Sequence, residues 1–146
     1  MKISDLGLAI IELFEDFRST AYQDQRGVWT CGYGHTAPDV REGTTCTSDQ
    51  ASEWLAADTE HAETAVQQLV TTEMRGHEFD ALVSFVYNAG TTALKDSTLL
   101  KLVNAGKILE ASDQFLIWDH VNGAPNAGLL RRRKVERALF LDGGDS

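Results

Sequence analysis

The feature that most constrains the fold is a loss of helical spacing in residues 20–36, after a stretch in which apolar residues recur as they do in a helix. Upstream, that spacing predicts a first helix over residues 5–17, with Ser4 as its N-cap and Glu15 in its last turn. Residues 23–27 are turn formers, and residues 28–31 have the β-branched and aromatic character of a strand. Residues 20–46 are therefore predicted to form a small hairpin-like lobe, too short to build a core unaided.

The remaining chain is predicted to be helical. Thr47 begins a capping-box sequence that opens a long helix to about residue 70, and an apolar helix over residues 79–89 ends at Gly90. Further helices are expected over residues 98–104, 108–118 and 129–141, with a loop at 122–128. The fold class is thus α+β, with a small N-terminal β-hairpin lobe and a larger helical lobe joined by the long helix. We expect one domain, residues 1–146, in which residues 74–146 and the first helix make up the helical lobe.

Charge argues against a nucleic-acid partner. The chain of 146 residues carries a formal net charge of −9, most of it in the first half, whereas nucleic-acid binding needs a basic surface. The basic run at 131–134 is predicted to be a solvated face or a set of ion pairs. The acidic residues of the long helix are also predicted to form a solvated face; they are Glu53, Asp58, Glu60 and Glu63. The apolar run at residues 8–11 is too short for a membrane span or a signal peptide, so we expect no export signal.

Two cysteines, Cys31 and Cys46, are the chain's only thiols. Their spacing does not match a zinc site. Two reduced thiols are expected in a cytosolic protein, and a disulfide formed outside the cytoplasm remains open.

Three side chains near the hairpin can perform acid–base chemistry together: Glu15, Asp24 and Thr30. Glycoside hydrolysis needs an acid that protonates the leaving oxygen and a second carboxylate that handles water or the sugar cation. A helix C-terminus and neighbouring aromatic residues disfavour the ionised form of Glu15, as a general acid requires. Asp24 lies in a polar turn that favours its ionised form, and the Thr30 hydroxyl can orient a water beside it. Taken singly, Glu15 is more often a surface carboxylate, Asp24 a turn residue and Thr30 a strand former.

The joint pattern is more specific than its members. Eight residues separate Glu15 from Asp24, five separate Asp24 from Thr30, and Gly-Tyr-Gly-His-Thr follows at 32–36. Over nearly the whole chain, this pattern resembles the phage-type lysozymes, the endolysins of glycoside hydrolase family 24. Further matching segments are residues 80–85, 88–90, 97–98, 118 and 128–133. A departure is Asp16, where similar enzymes often have glycine.

The resemblance implies a muramidase that cleaves the β-1,4 bond between N-acetylmuramic acid and N-acetylglucosamine, with a cleft between the two lobes. It implies that Glu15 is the general acid, Asp24 the second carboxylate and Thr30 the residue that positions water, with no metal or organic cofactor. Weaker candidates for substrate binding are His35, Asn88, Trp118 and Arg132. For His35 a structural role is preferred, for Asn88 helix capping is an equal alternative, and a helix-end tryptophan such as Trp118 is more often a core residue. Among the arginines of the basic run, Arg132 is predicted to point inward, toward Glu15.

Two alternatives stay open from sequence. A lytic transglycosylase would use Glu15 alone, and a catalytically inactive wall-binding module would use none of the three. For the muramidase, the expected partners are the peptidoglycan substrate and a holin-like pore, without stable membrane insertion. The protein is expected to be a monomer that accumulates in the host cytoplasm and acts on the periplasmic cell wall after release.

Overall fold

The computed structural model describes residues 1–142. Its helices are α1 (Asp5–Phe14), α2 (Ser48–Asp58), α3 (Glu60–Leu69), α4 (Gly76–Ala89), α5 (Thr91–Lys95), α6 (Thr98–Asn104), α7 (Ile108–Gln114) and α8 (Ala127–Leu141), with a 3-10 turn at Phe115–Ile117. Its strands are β1 (Arg18–Gln23), β2 (Trp29–Gly32), β3 (His120–Val121) and β4 (Ala124–Pro125). The predicted α+β class, mostly helical with a small hairpin sheet, is confirmed.

The chain divides into two compact units, and the smaller comprises residues 8–60. In it, β1 and β2 pair antiparallel, with Tyr22 opposite Thr30, and an isolated bridge joins Thr20 to Thr45. Helix α2 packs on β2, where Gly32 lies so close to Ala51 that an added Cβ would be 3.0 Å from the Ala51 Cβ. The predicted hairpin lobe is therefore present, and α2 supplies the core that the two short strands lack.

The larger unit comprises residues 1–7 and 61 onward. Helix α4 is its most buried element, and it packs along α8. Aromatic rings fill the space between these helices and the 3-10 turn: Phe85 meets Phe115 edge to face at 5.9 Å, and Phe115 meets Phe140 at 5.3 Å. Offset and edge-to-face ring pairs of this kind add stabilisation beyond the area that they bury.

Several predicted helix ends are confirmed by their caps. The Ser4 hydroxyl accepts from the Gly7 N–H at 3.1 Å, and the Thr47 hydroxyl accepts from the Gln50 N–H at 3.1 Å. Ser97 caps α6 in the same way, with the Leu100 N–H at 3.0 Å. Helix α4 ends at Gly90, whose φ of 100° is a conformation that residues with a Cβ rarely adopt.

Several elements differ from the prediction. Helix α1 ends at Phe14, three residues early, because β1 already begins at Arg18. The predicted long helix is two helices divided at Thr59, a buried β-branched residue whose hydroxyl donates to the Ala56 carbonyl at 2.8 Å. Helix α5 was not predicted. The predicted loop at 122–128 begins inside the β3–β4 hairpin and ends in the first turn of α8.

The predicted solvated acidic face is wrong for two of its four members. Glu53 and Glu60 are exposed. Glu63 is buried and accepts the Ile3 N–H at 2.6 Å, and Asp58 contacts a histidine ring. Both carboxylates have specific partners. Glu63 is removed from water and requires one, whereas the Asp58 side chain is still 28% exposed.

Candidate active site

Asp24 and Thr30 are joined through the backbone of Val28. Asp24 follows β1, and its Oδ1 accepts the N–H groups of Arg26 at 2.8 Å and Val28 at 2.9 Å. The Asp24 N–H donates to the Val28 carbonyl at 2.9 Å, and the Thr30 hydroxyl donates to the same carbonyl at 3.0 Å. Gly27 provides the positive φ of 79° that closes this turn. The backbone N–H and carbonyl of one residue, Val28, thus fix both side chains at a single hairpin end.

The turn keeps the Asp24 carboxylate ionised. The Val28 N–H is the largest cause that lowers the pKa of Asp24 below its ordinary value of 3.8; partial burial opposes it, and the Arg26 amide and guanidinium add to the lowering. The Arg26 guanidinium is 3.9 Å from the Asp24 Oδ2. An anion that receives two backbone N–H bonds is also held in one orientation, as a residue that directs a water must be.

Thr30 is buried on β2, with 4% of its surface exposed. Because its hydroxyl proton points to the Val28 carbonyl, the hydroxyl oxygen keeps its lone pairs for a donor such as water. Together, Asp24 and Thr30 offer two acceptors tied to the backbone of the same residue, Val28, an arrangement that can orient a nucleophilic water.

Glu15 is the residue that follows the last turn of α1, not part of it. Its N–H still donates to the Ile11 carbonyl at 2.9 Å, so the helix end fixes its backbone. The side chain is half-buried, and it belongs to the same unit, residues 8–60, as Asp24 and Thr30. Its action as an acid opposite Asp24 stays a prediction.

His35 is held between two side chains of α2. Its Nδ1 is 2.7 Å from the Asp58 Oδ2, and its ring stacks on Trp54 with centroids 4.3 Å apart. Its backbone N–H and carbonyl both bond to Cys31, at 2.9 Å each. This arrangement supports the structural role that was preferred for His35, since the imidazole ties the turn after β2 to α2.

Arg132 is buried on α8, as predicted, but it is one of two such arginines. Arg132 Nε donates to Glu136 Oε2 at 3.2 Å, and Arg133 Nη1 donates to Glu136 Oε1 at 2.6 Å. Ser84 of α4 adds a hydroxyl bond to Glu136 Oε2 at 2.5 Å, and its carbonyl accepts from Arg132 Nη2 at 3.3 Å. Of the basic run, Arg131 and Lys134 are exposed. The ion-pair prediction therefore holds for half of the run.

Arg133 and Glu136 are the residues that the sequence reasoning missed. The buried stripe of α8 passes through Glu136, which is fully buried, whereas the neighbouring Val135 is only half-buried. A signal was available: Glu136 stands four residues after Arg132 and three after Arg133, the spacing at which helical side chains meet. Burial lowers the pKa of the Arg133 guanidinium, and the Glu136 charge opposes that shift.

Asn88 and Trp118 are both bound to Arg133. The Asn88 side-chain carbonyl accepts from Arg133 Nη2, and the Trp118 backbone carbonyl accepts from Arg133 Nε at 2.8 Å. Asn88 is exposed near the end of α4, so its amide N–H groups can serve a ligand. The Trp118 ring meets the Phe85 ring edge to face at a centroid distance of 5.4 Å, which supports the interpretation of Trp118 as a core residue.

The described residues 1–142 hold no group of three or more His, Cys, Asp or Glu side chains that could bind a metal ion. Within the same range, no helix combines the length and the apolar composition that a membrane crossing requires.

A sequence model of the phage lysozyme family matches residues 12–136, which include every candidate named above. The chain belongs to the phage lysozyme family. The family resemblance predicted from the Glu15, Asp24 and Thr30 spacing is confirmed, and membership supports the predicted enzyme class, a muramidase-type glycoside hydrolase.

Relatives of this phage lysozyme cover nearly all of its length. The endolysin of Bacillus phage B103 is 39% identical over 145 residues, which are 98% of this chain and 55% of the relative. The endolysin of Salmonella phage P22 is 38% identical over 97% of this chain and 99% of its own length. The chain therefore spans little more than half of the B103 protein and almost all of the P22 protein.

Among solved structures, the muramidase domain of SpmX from Asticaccaulis excentricus is similar over its whole fold. The TM-score is 0.91 with 40% sequence identity, and the match covers 97% of this chain and 98% of that one.

Proposed function

We propose that this phage lysozyme is a peptidoglycan hydrolase that cleaves the β-1,4 bond between N-acetylmuramic acid and N-acetylglucosamine. Membership of the family and the endolysin relatives support the class of reaction. The observation that carries the mechanism is the backbone of Val28, whose N–H binds the Asp24 carboxylate and whose carbonyl binds the Thr30 hydroxyl. In this mechanism Glu15 protonates the leaving oxygen, while Asp24 and Thr30 direct a water to the sugar carbon.

The substrate would be oriented by polar groups outside this trio. Asn88 presents amide donors for an N-acetyl carbonyl, and Arg133 holds that amide in place. His35, Trp118 and Arg132 would shape the site through the contacts already described.

The experiment that tests this proposal compares the digestion of purified murein by three proteins: the wild type, Glu15→Gln and Asp16→Asn. The two variants each replace a carboxyl group by an amide of the same size at adjacent positions, and Asp16 is exposed. We expect Glu15→Gln to lose activity by about 100-fold or more, since general acid catalysis contributes about 10²–10⁴-fold. We expect Asp16→Asn to stay close to the wild type. The melting temperature of Glu15→Gln should be unchanged or raised, because functional groups are rarely placed for stability.

Product chemistry separates the alternatives. Hydrolysis leaves reducing ends on the muropeptides, which mass spectrometry distinguishes from the 1,6-anhydro ends that transglycosylation leaves. Anhydro products would replace the muramidase proposal with a transglycosylase. Full activity of Glu15→Gln would reject Glu15 as the acid, and no products from the wild type would leave a wall-binding module.

The proposal extends to location and partners, and the endolysin relatives support peptidoglycan as the substrate. In this proposal the protein is a monomer that folds in the host cytoplasm and reaches the periplasmic wall through a holin-like pore, without inserting into the membrane. Expression in a Gram-negative host should lyse the cells only when a pore-forming protein is co-expressed. Prompt lysis without a pore would contradict this route, and a dimer in light scattering would contradict the monomer.

A further inference from the structure

The two cysteines of the chain lie side by side in the hairpin unit. The Cys31 Sγ is 3.4 Å from the Cys46 Sγ, and no disulfide bond joins them. Both thiols point to the Arg18 carbonyl, with each sulfur 3.6 Å from its oxygen. The two cysteines are 15 residues apart in the sequence, so folding and not chain connectivity brings their sulfurs together.

The backbone holds both cysteines at this meeting point. Cys31 exchanges two backbone hydrogen bonds with His35, each 2.9 Å, and the Cys46 N–H donates to the Ser19 carbonyl at 2.9 Å. Because β1 carries β2 on one side and the segment before Cys46 on the other, both cysteines are anchored to the same strand. To form a disulfide, the sulfurs must approach from 3.4 Å to the roughly 2.05 Å of an S–S bond.

We propose that Cys31 and Cys46 form an intramolecular disulfide in the folded protein when it meets a disulfide-exchange oxidant. Only the location of this oxidation rests on the proposed function. A protein released from the reducing cytoplasm to the periplasmic wall meets such oxidants in the periplasm.

Exposure fixes the order of the two steps. Cys31 is fully buried, whereas Cys46 is partly exposed, so Cys46 attacks first. Its thiolate attacks one sulfur of the oxidant, the oxidant's S–S bond breaks, and one oxidant thiol leaves. The Cys31 thiolate then attacks the Cys46 sulfur and expels the second oxidant thiol. The two protein thiols lose two electrons and two protons, which the oxidant's two thiols take up.

Burial also makes the first step slow. Desolvation raises the pKa of the Cys46 thiol to about 11, with Cys31 adding to the shift, so little thiolate is present at neutral pH. The pair therefore stays reduced during brief encounters with oxidant and closes on longer exposure. Once formed, the bond ties β2, which carries Thr30, to the residue before the N-cap of α2.

The test incubates folded protein with oxidised glutathione and reads the intact mass without reductant. Three proteins are compared: the wild type, Cys31→Ser and Cys46→Ser, with the alanine variants in parallel should either serine variant fail to fold. We expect the wild type to lose two hydrogen atoms and keep no glutathione. Cys31→Ser should retain one glutathione on Cys46, and Cys46→Ser should retain none, because Cys31 is buried.

Two further readouts follow from the same samples. The rate for the wild type should rise about tenfold per pH unit between pH 7 and pH 9, as the thiolate fraction does below the pKa. The oxidised wild type should melt roughly 10 °C above the reduced form, from the entropy of closing a loop of this size.

A wild type that keeps both thiols while folded, although urea-unfolded chain is oxidised in the same buffer, would overturn the proposal. So would a wild type that retains glutathione, and uptake of glutathione by Cys46→Ser would overturn the order of attack. The intact mass does not depend on muramidase activity, and the Glu15→Gln variant should be oxidised as the wild type is. The disulfide and the proposed function can thus fail separately.

Discussion

Replacing Glu136 by glutamine removes one charge from the centre of the larger unit while keeping the size of the side chain. The Glu136 carboxylate is fully buried. It accepts hydrogen bonds from Arg132, Arg133 and Ser84 at 3.2, 2.6 and 2.5 Å. Glutamine retains one acceptor oxygen, but its amide nitrogen then faces a guanidinium. The variant removes the counter-charge that Glu136 supplies to two buried guanidinium groups, and no cavity is created.

The expected loss is about 3–5 kcal/mol in the free energy of unfolding, the cost of removing one partner from a buried ion pair. For a chain of this length that corresponds to a melting temperature lower by roughly 10 °C. The assay is urea unfolding at neutral pH, followed by fluorescence and by circular dichroism, with coincident transitions required before the free energies are compared.

The matched control is Asp113→Asn, which also removes one carboxylate that is paired with an arginine of α8. Asp113 Oδ1 is 3.0 Å from Arg137 Nη2, but its side chain is 68% exposed, so the expected loss is at most about 1 kcal/mol. If Glu136→Gln costs no more than Asp113→Asn, the carboxylate does not hold the buried arginines, and the reasoning is refuted.

Three further predictions concern the hairpin unit. A double-mutant cycle of His35→Ala and Asp58→Ala in urea unfolding should give a coupling of about 1–2 kcal/mol, since a 2.7 Å bond to a carboxylate is lost; additive effects would contradict it. Gly32→Ala should destabilise more than Gly27→Ala by about 1–2 kcal/mol: both have positive φ, but only at Gly32 would the added Cβ meet another side chain, and equal losses would argue against crowding. The pKa of Asp24 is lowered on folding, so its stabilising contribution is present above about pH 3.8 and is lost as the pH falls through its folded pKa. Carbon NMR of the Asp24 carboxyl should show a midpoint below 3.8, and a higher midpoint would contradict the hydrogen bonds described.

The parts of this protein that could be predicted from sequence depend on neighbours within a few residues. The Ser4 and Thr47 caps, each bonded three residues on, and the Gly90 helix end were all predicted. The turn at Asp24 is equally local, since its partners lie two and four residues ahead. Such contacts can be read from spacing because the chain has little freedom over so short a distance.

Tertiary structure decided which distant groups meet. Asp58 was predicted to be a solvated carboxylate, but in the fold it contacts His35, 23 positions away. Glu136 was not singled out from the sequence, but in the fold it accepts a hydrogen bond from Ser84, 52 positions away. The approach of Cys31 to Cys46 belongs to the same class. The position of a charged residue in the sequence is the same whether its side chain faces water or a partner. Only the packing of other elements against that side chain removes it from water. Sequence by itself therefore determined the elements and the catalytic candidates, while the fold determined which charges are buried and what compensates them.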